Sequence, residues 1–163
     1  MLLSFFKKLR NTYNFRSLKS KYNKEKCELE QTDFFHKLGL DREAALIKLN
    51  QIKKQNSFLN RNMSSEHEVL FSAISIKYKT NFKNILEIGT YDGVNSFLLS
   101  SLFENAKILT LDLPSTDQEF KETYNRKKYF DNFVLKRNEI ISKKKNIDFK
   151  ELNSVELINH DNK

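Results

Sequence analysis

Only three glycines occur in the 163 residues, and two of them, Gly89 and Gly93, fall in a single short turn between apolar runs. No other feature restricts the fold as much. Ile85, Leu86 and Ile88 precede the turn, and Phe97, Leu98, Leu99, Leu102 and Phe103 follow it at the spacing of one helical face. A second apolar run, Ile108 to Leu113, then closes at Asp112 and the only proline, Pro114. Proline has no N–H to give a ladder, so it suits a strand exit. The stretch Asn84 to Pro114 therefore predicts a βαβ unit, two parallel neighbouring strands with a helix crossing one face. Sheets of this kind bind ligands at the carboxyl ends of their strands.

The turn reads Gly89-Thr90-Tyr91-Asp92-Gly93, where a backbone bends tightly and lets a ligand approach. Asp112 comes nineteen residues after Gly93, at the end of the next strand, where a carboxylate accepts hydrogen bonds from a ribose diol. A nicotinamide dinucleotide would want G-x-G-x-x-G, and Tyr91 stands where the middle glycine belongs. The turn also carries no basic residue, so a pyrophosphate is poorly served and a nucleoside without phosphates fits better. The plain alternative takes Glu87 and Asp112 as solvated strand-end acids and the glycines as an ordinary turn.

Glu87-Ile88-Gly89-Thr90-Tyr91-Asp92-Gly93 resembles motif I of the class I, Rossmann-like S-adenosylmethionine-dependent methyltransferases, in the EIGTxxG branch that includes small-molecule O-methyltransferases. The likeness runs from Ser65 to about Ser154. It implies S-adenosyl-L-methionine as cofactor, with Glu87, Gly89, Thr90 and Gly93 lining its methionine end and Asp112 holding the ribose hydroxyls. Asn153 or Ser154 would sit by the adenine, and Tyr91 and Asp92 would share the loop. No catalytic residue is implied by name: Asp92 lies inside the loop and makes a poor general base.

Composition bounds the rest. Hydrophobic residues at 39% and charged residues at 31% describe a globular chain with a core, and no apolar run approaches a membrane span. Cys27 is the single cysteine, which rules out an internal disulfide and favours a reducing cytoplasm. His36, His67 and His160 are scattered without metal-ligand spacing, so no metal is expected. Residues 1–30 hold eight Lys or Arg against three Glu, +5 of the chain's +8, so the basic character belongs to the N-terminus and is no strong nucleic-acid signal.

Taken in order, the chain opens with Leu2, Phe5, Phe6, Leu9 and Tyr13 at helical spacing among basic residues. Such a helix over residues 1–15 either packs on the domain or a partner, the favoured reading, or lies peripherally on an anionic membrane. Arg16 to Lys26 reads as a solvated helix or linker. A short helix, Asp33 to Leu38, should close at Gly39, and Asp41 should cap a helix carrying Ala45, Leu46, Leu49 and Ile52. Asn56 to Asn62 connects to a capping box at Ser65 and a helix from Glu66 to about Lys79. After Pro114 the polar segment Ser115 to Lys128, anchored by Phe120 and Tyr124, should carry a short helix. Phe130 to Ile141 should form another, with Lys143, Lys144 and Lys145 at its solvated, dipole-favoured end. Asn146 to Leu152 makes a third strand that leaves Asn153-Ser154 at its carboxyl end, and Val155 to Asn159 starts a further helix.

The expected architecture is α/β: an N-terminal helical region, 1–62, then a partial S-adenosylmethionine-binding domain, 63–163. The second part is the first half of a doubly wound Rossmann-like methyltransferase sheet, three parallel strands with crossover helices. A sheet of three strands leaves the flank of the first unpaired, an apolar edge open to association. It implies a portion of a longer protein, or a short form that needs a partner. The expected activity is methyl transfer to a small-molecule acceptor; the alternative is a nucleoside-binding or interaction module without catalysis.

Overall fold

The computed structural model describes residues 23–60, 66–79, 81–123 and 130–155. The basic amphipathic opening, the Ser65 cap, Tyr124 and the segment beyond Val155 lie outside them. The chain divides into two compact units, Met1–Asp41 and Arg42–Lys163.

In the first unit, helix α1 spans Lys24–Lys37, longer at its start than the expected Asp33 to Leu38. The polar residues before Asp33 are helical because Asn23 caps them, its side chain accepting from Lys26 N at 3.0 Å. The pairs Lys24–Glu28 and Lys26–Glu30 add i,i+4 support. The helix stops as expected at Gly39, whose φ of 65° lets Leu40 N reach back to Phe35 O at 2.9 Å.

The second unit begins with helix α2, Arg42–Gln55, and helix α3, Glu66–Lys77. Its start at Arg42 follows from how these helices pair. Ala45 and Leu49 are buried, Ser72 Oγ donates to Ala45 O at 2.8 Å, and Arg42 forks onto Glu66. Small buried faces at Ala45, Ser72, Ala73 and Ser75 let the backbones approach. Lys48 reaches between them to Ser75 Oγ at 2.8 Å; burial and the nearby Lys79 charge lower its ammonium pKa despite Glu104. A 3-10 turn at Ser57–Leu59 follows α2 and sets Phe58 edge-on to Phe97, ring centroids 4.9 Å apart.

Strand β1 is Asn84–Ile88, helix α4 Val94–Leu102 and strand β2 Lys107–Asp112. A short helix α5, Gln118–Glu122, precedes helix α6, Phe130–Ser142, and strand β3, Ile147–Glu151. The strands form a parallel sheet in the order β1-β2-β3, with Ile85 opposite Ile108, Ile108 opposite Ile147, and Thr110 opposite Phe149. The expected βαβ unit and third strand are present. Ser96 of α4 bonds Thr110, and Arg137 of α6 lies over Phe149, so both crossover helices cover the face that carries Thr110 and Phe149. Phe97, Leu98, Leu102, Ile108 and Ile140 are buried in that layer. Asn146 fastens β3 to the start of β2 by donating to Ala106 O and accepting from Ile108 N, both at 2.8 Å.

The lysines after α6 have partners beyond water. Lys143 sits over the Phe58 ring at 4.9 Å and Lys144 over the Phe97 ring at 5.0 Å, tying the end of α6 to the 3-10 turn and to α4. No helix among the described residues is long and apolar enough to cross a membrane.

Candidate functional site

The residues singled out in the sequence meet at the carboxyl end of the sheet. Gly89 N and Thr90 N donate to Leu111 O at 2.7 and 3.1 Å, which folds the turn back over the exit of β2. Tyr91 N then donates to Asp112 Oδ2 at 2.8 Å, and Leu113 N to Asp112 Oδ1 at 3.0 Å. Leu152 N donates to the backbone O of Asp112 at 2.8 Å, which brings the exit of β3, ahead of Asn153 and Ser154, to the exit of β2. Asn153 Oδ1 accepts from Val155 N, capping the helical residues that follow. The half-buried Asp112 is therefore the hub of three strand exits, and each of its oxygens keeps a second lone pair for a ligand.

The turn contains three successive demands on the backbone. Gly89 has φ 90°, Tyr91 φ 52° and Gly93 φ 77°. Tyr91, at the position of the middle glycine of G-x-G-x-x-G, is left-handed at a cost of roughly 1–2 kcal/mol. Its ring lies against Phe133 at 5.3 Å between centroids, and its amide is held by Asp112.

The two glycines serve different ends. A Cβ built on Gly89 meets no heavy atom within 4 Å, so the turn leaves open space in front of this residue. On Gly93 it would come within 2.8 Å of Ile141 Cγ1 and 3.3 Å of Arg137 O. Gly93, the N-cap of α4, thus lets the start of this helix pack on α6, and Asp92 Oδ1 accepts from Val94 N at 3.2 Å.

Glu87 and Thr90 face inward. Glu87 Oε1 accepts from Asn95 Nδ2 at 2.6 Å, and its Oε2 accepts from Thr110 Oγ1 at 2.7 Å and from Ser96 Oγ. Thr90, 2% exposed, bonds Thr110 Oγ1 at 2.7 Å. These side chains lock the turn onto α4 and β2, while Gly89 and Tyr91 are exposed and Asp112, Asn153 and Ser154 half-buried at the strand ends.

Arg137 and Phe133 were not expected as part of this region. Arg137, 1% exposed, stands 4.4 Å over the Phe149 ring and 5.6 Å from that of Phe120. It donates from Nη2 to Glu151 Oε1 at 3.0 Å and from Nε to Asn138 Oδ1, while Nη1 has no hydrogen-bond partner. Burial opposes the charged form of Glu151, but hydrogen bonds from Arg137 and Ser115 and the Arg137 charge outweigh it and hold its carboxyl below the ordinary value. The available signal was the spacing Phe133, Arg137, Ile140 and Ile141, which places the arginine on the buried face of α6.

Among the described residues no group of three or more His, Cys, Asp or Glu could hold a metal ion. No protein family, curated protein or solved structure matches the chain.

Proposed function

We propose that this chain binds S-adenosyl-L-methionine at the carboxyl end of its sheet and serves methyl transfer to a small-molecule acceptor. One observation carries the reading: Gly89, left-handed and open in front of its Cα, lies in the turn that Asp112 anchors, with a half-buried carboxylate free to accept on both oxygens. A glycine-walled space beside an acid at the end of the next strand suits a nucleoside. Gly89 would admit the cofactor's close approach, Asp112 would accept from the ribose hydroxyls, and Asn153-Ser154 would border the base. Bound there, the cofactor supplies an activated methyl group. Glu87, Thr90 and Gly93, expected to line the methionine end, would act through the shape of the turn. Alignment of the two reactants is the main contribution such a site makes. Cys27 is free, and a reducing cytoplasm is part of the proposal.

A second reading, a nucleoside-binding module without turnover, draws on the state of the nearby acids. Asp92 accepts from Val94 N, Glu151 is paired with Arg137, and Glu87 is held by three donors. None is placed to take a proton from a hydroxyl acceptor.

Calorimetric titration of S-adenosylhomocysteine into the chain tests the shared core of both readings. Micromolar binding that is lost in Gly89→Arg and in Asp112→Ala supports it. A folded chain that takes up no ligand refutes both, and binding without methyl transfer to any hydroxyl, amine or thiol acceptor favours the second.

A further inference from the structure

A cleft of about 480 Å³ opens between α2 and the end of α3, within the size range of small-ligand pockets. None of its lining residues belongs to the Gly89 turn or to the strand exits. On α2, Ala44, Ile47, Lys48 and Gln51 recur at the spacing of one helical face, and Ile76 and Lys79 line the space from α3 and its exit. The apolar walls are aliphatic. Ile47 is 61% and Ile76 39% exposed, although Ala45, Leu49, Ser72 and Ser75 of the same two helices are buried. An open cleft with such walls leaves apolar surface in water that a ligand tail would cover.

The charges of the cleft are two lysines that no acid pairs. Lys48 Nζ donates to Ser75 Oγ at 2.8 Å and stands 3.5 Å from Leu102 O. Ser75 Oγ donates its own proton to Ser72 O at 2.7 Å, so it serves Lys48 only as a neutral acceptor. An ammonium carries three N–H donors, and two acceptors leave one unused. Lys79 is exposed, and among the described residues neither lysine forms an ion pair. Glu104 acts on Lys48 through its field alone; burial and the Lys79 charge outweigh it and hold the Lys48 ammonium below its ordinary pKa. An anion set between the two lysines would offset both effects.

We propose that this cleft binds an aliphatic carboxylate of the free fatty acid class, its head between Lys48 and Lys79 and its tail along Ile47 and Ile76. Ala44 has no side chain beyond Cβ to obstruct the tail, and the Gln51 amide is a further donor at the lining. The site shares no residue with the proposed cofactor site, so each stands or falls alone.

Amide NMR titration of the full chain with decanoate tests it, beside decanol and decylammonium, which keep the tail and lack the negative charge. Decanoate should bind saturably and shift Ala44, Ile47, Lys48 and Ile76, with decanol and decylammonium at least about tenfold weaker. Lys79→Glu and Ile47→Gln, both at exposed positions, should each weaken decanoate by about fivefold. Lys48→Met should abolish saturable binding in a chain whose spectrum stays dispersed; should that variant unfold, Lys79→Glu decides. Absence of binding, equal binding of decanol, indifference to Lys79→Glu, or shifts gathered elsewhere on the chain would overturn the proposal.

Discussion

Replacing Gly93 by alanine should destabilise the chain far more than the same change at Gly89. Both residues lie in the left-handed region, with φ 77° and 90°, so each substitution incurs roughly 1–2 kcal/mol of backbone strain. At Gly89 the added methyl enters open space and nothing more is lost. At Gly93 it meets Ile141 Cγ1 at 2.8 Å and Arg137 O at 3.3 Å, which forces α4 and α6 apart. Overpacking of this kind adds about 1–3 kcal/mol. The expected losses are therefore roughly 2–5 kcal/mol for Gly93→Ala and about 1–2 kcal/mol for Gly89→Ala. Urea unfolding followed by circular dichroism measures both. Ile141→Ala removes the crowding atoms, so the double variant with Gly93→Ala should recover at least about 1 kcal/mol relative to additivity. Equal losses at the two glycines, or full additivity with Ile141→Ala, would refute the assignment of Gly93 to helix packing.

Three further outcomes follow from the same geometry. Arg137→Ala should cost about 2–4 kcal/mol by removing the bulk between Phe149 and Phe120, whereas Arg137→Met, which keeps volume and discards the unpartnered Nη1, should stay within roughly 1 kcal/mol of the parent in the same urea assay. Because the folded-state pKa of Glu151 is depressed, its pairing with Arg137 stabilises fully above the ordinary carboxyl range and is lost as pH falls through the lowered value; melting temperatures of the parent and Glu151→Gln should converge toward acid pH and separate toward neutral. Thr110→Val should cost about 1–3 kcal/mol, since it leaves Thr90 and a Glu87 oxygen without the hydroxyl that joins them, and thermal melts of the two chains would show it.

Much of the fold was legible because its signals are local. The apolar runs at Ile85 to Ile88 and Ile108 to Leu113, the two-glycine turn and the helical face of Phe97 to Leu102 each announce one element, and their order demands parallel pairing. Gly39 marked a helix end because only its conformation suits that reversal. The start of α1 was missed because its support comes from a cap and charge pairs on a surface with no apolar period. The pairing of α2 with α3 gave little signal because it rests on small residues, Ala45, Ser72 and Ser75. Within the site, motif spacing placed Gly89, Asp112 and Asn153-Ser154 at one end of the sheet. It gave no warning that Glu87 and Thr90 turn inward, since that depends on Thr110 and Ser96 from other elements. Arg137 stayed hidden for the same reason: its aromatic partners are contributed by α5 and β3.

The most direct test of the proposed cofactor site is a two-dimensional amide NMR titration of the isotope-labelled chain with S-adenosylhomocysteine. The account predicts shifts concentrated at Gly89, Tyr91, Asp112, Leu113 and Asn153, saturating at micromolar ligand and absent in Gly89→Arg. Shifts that gather elsewhere on the chain, or none from a well-dispersed spectrum, would contradict it.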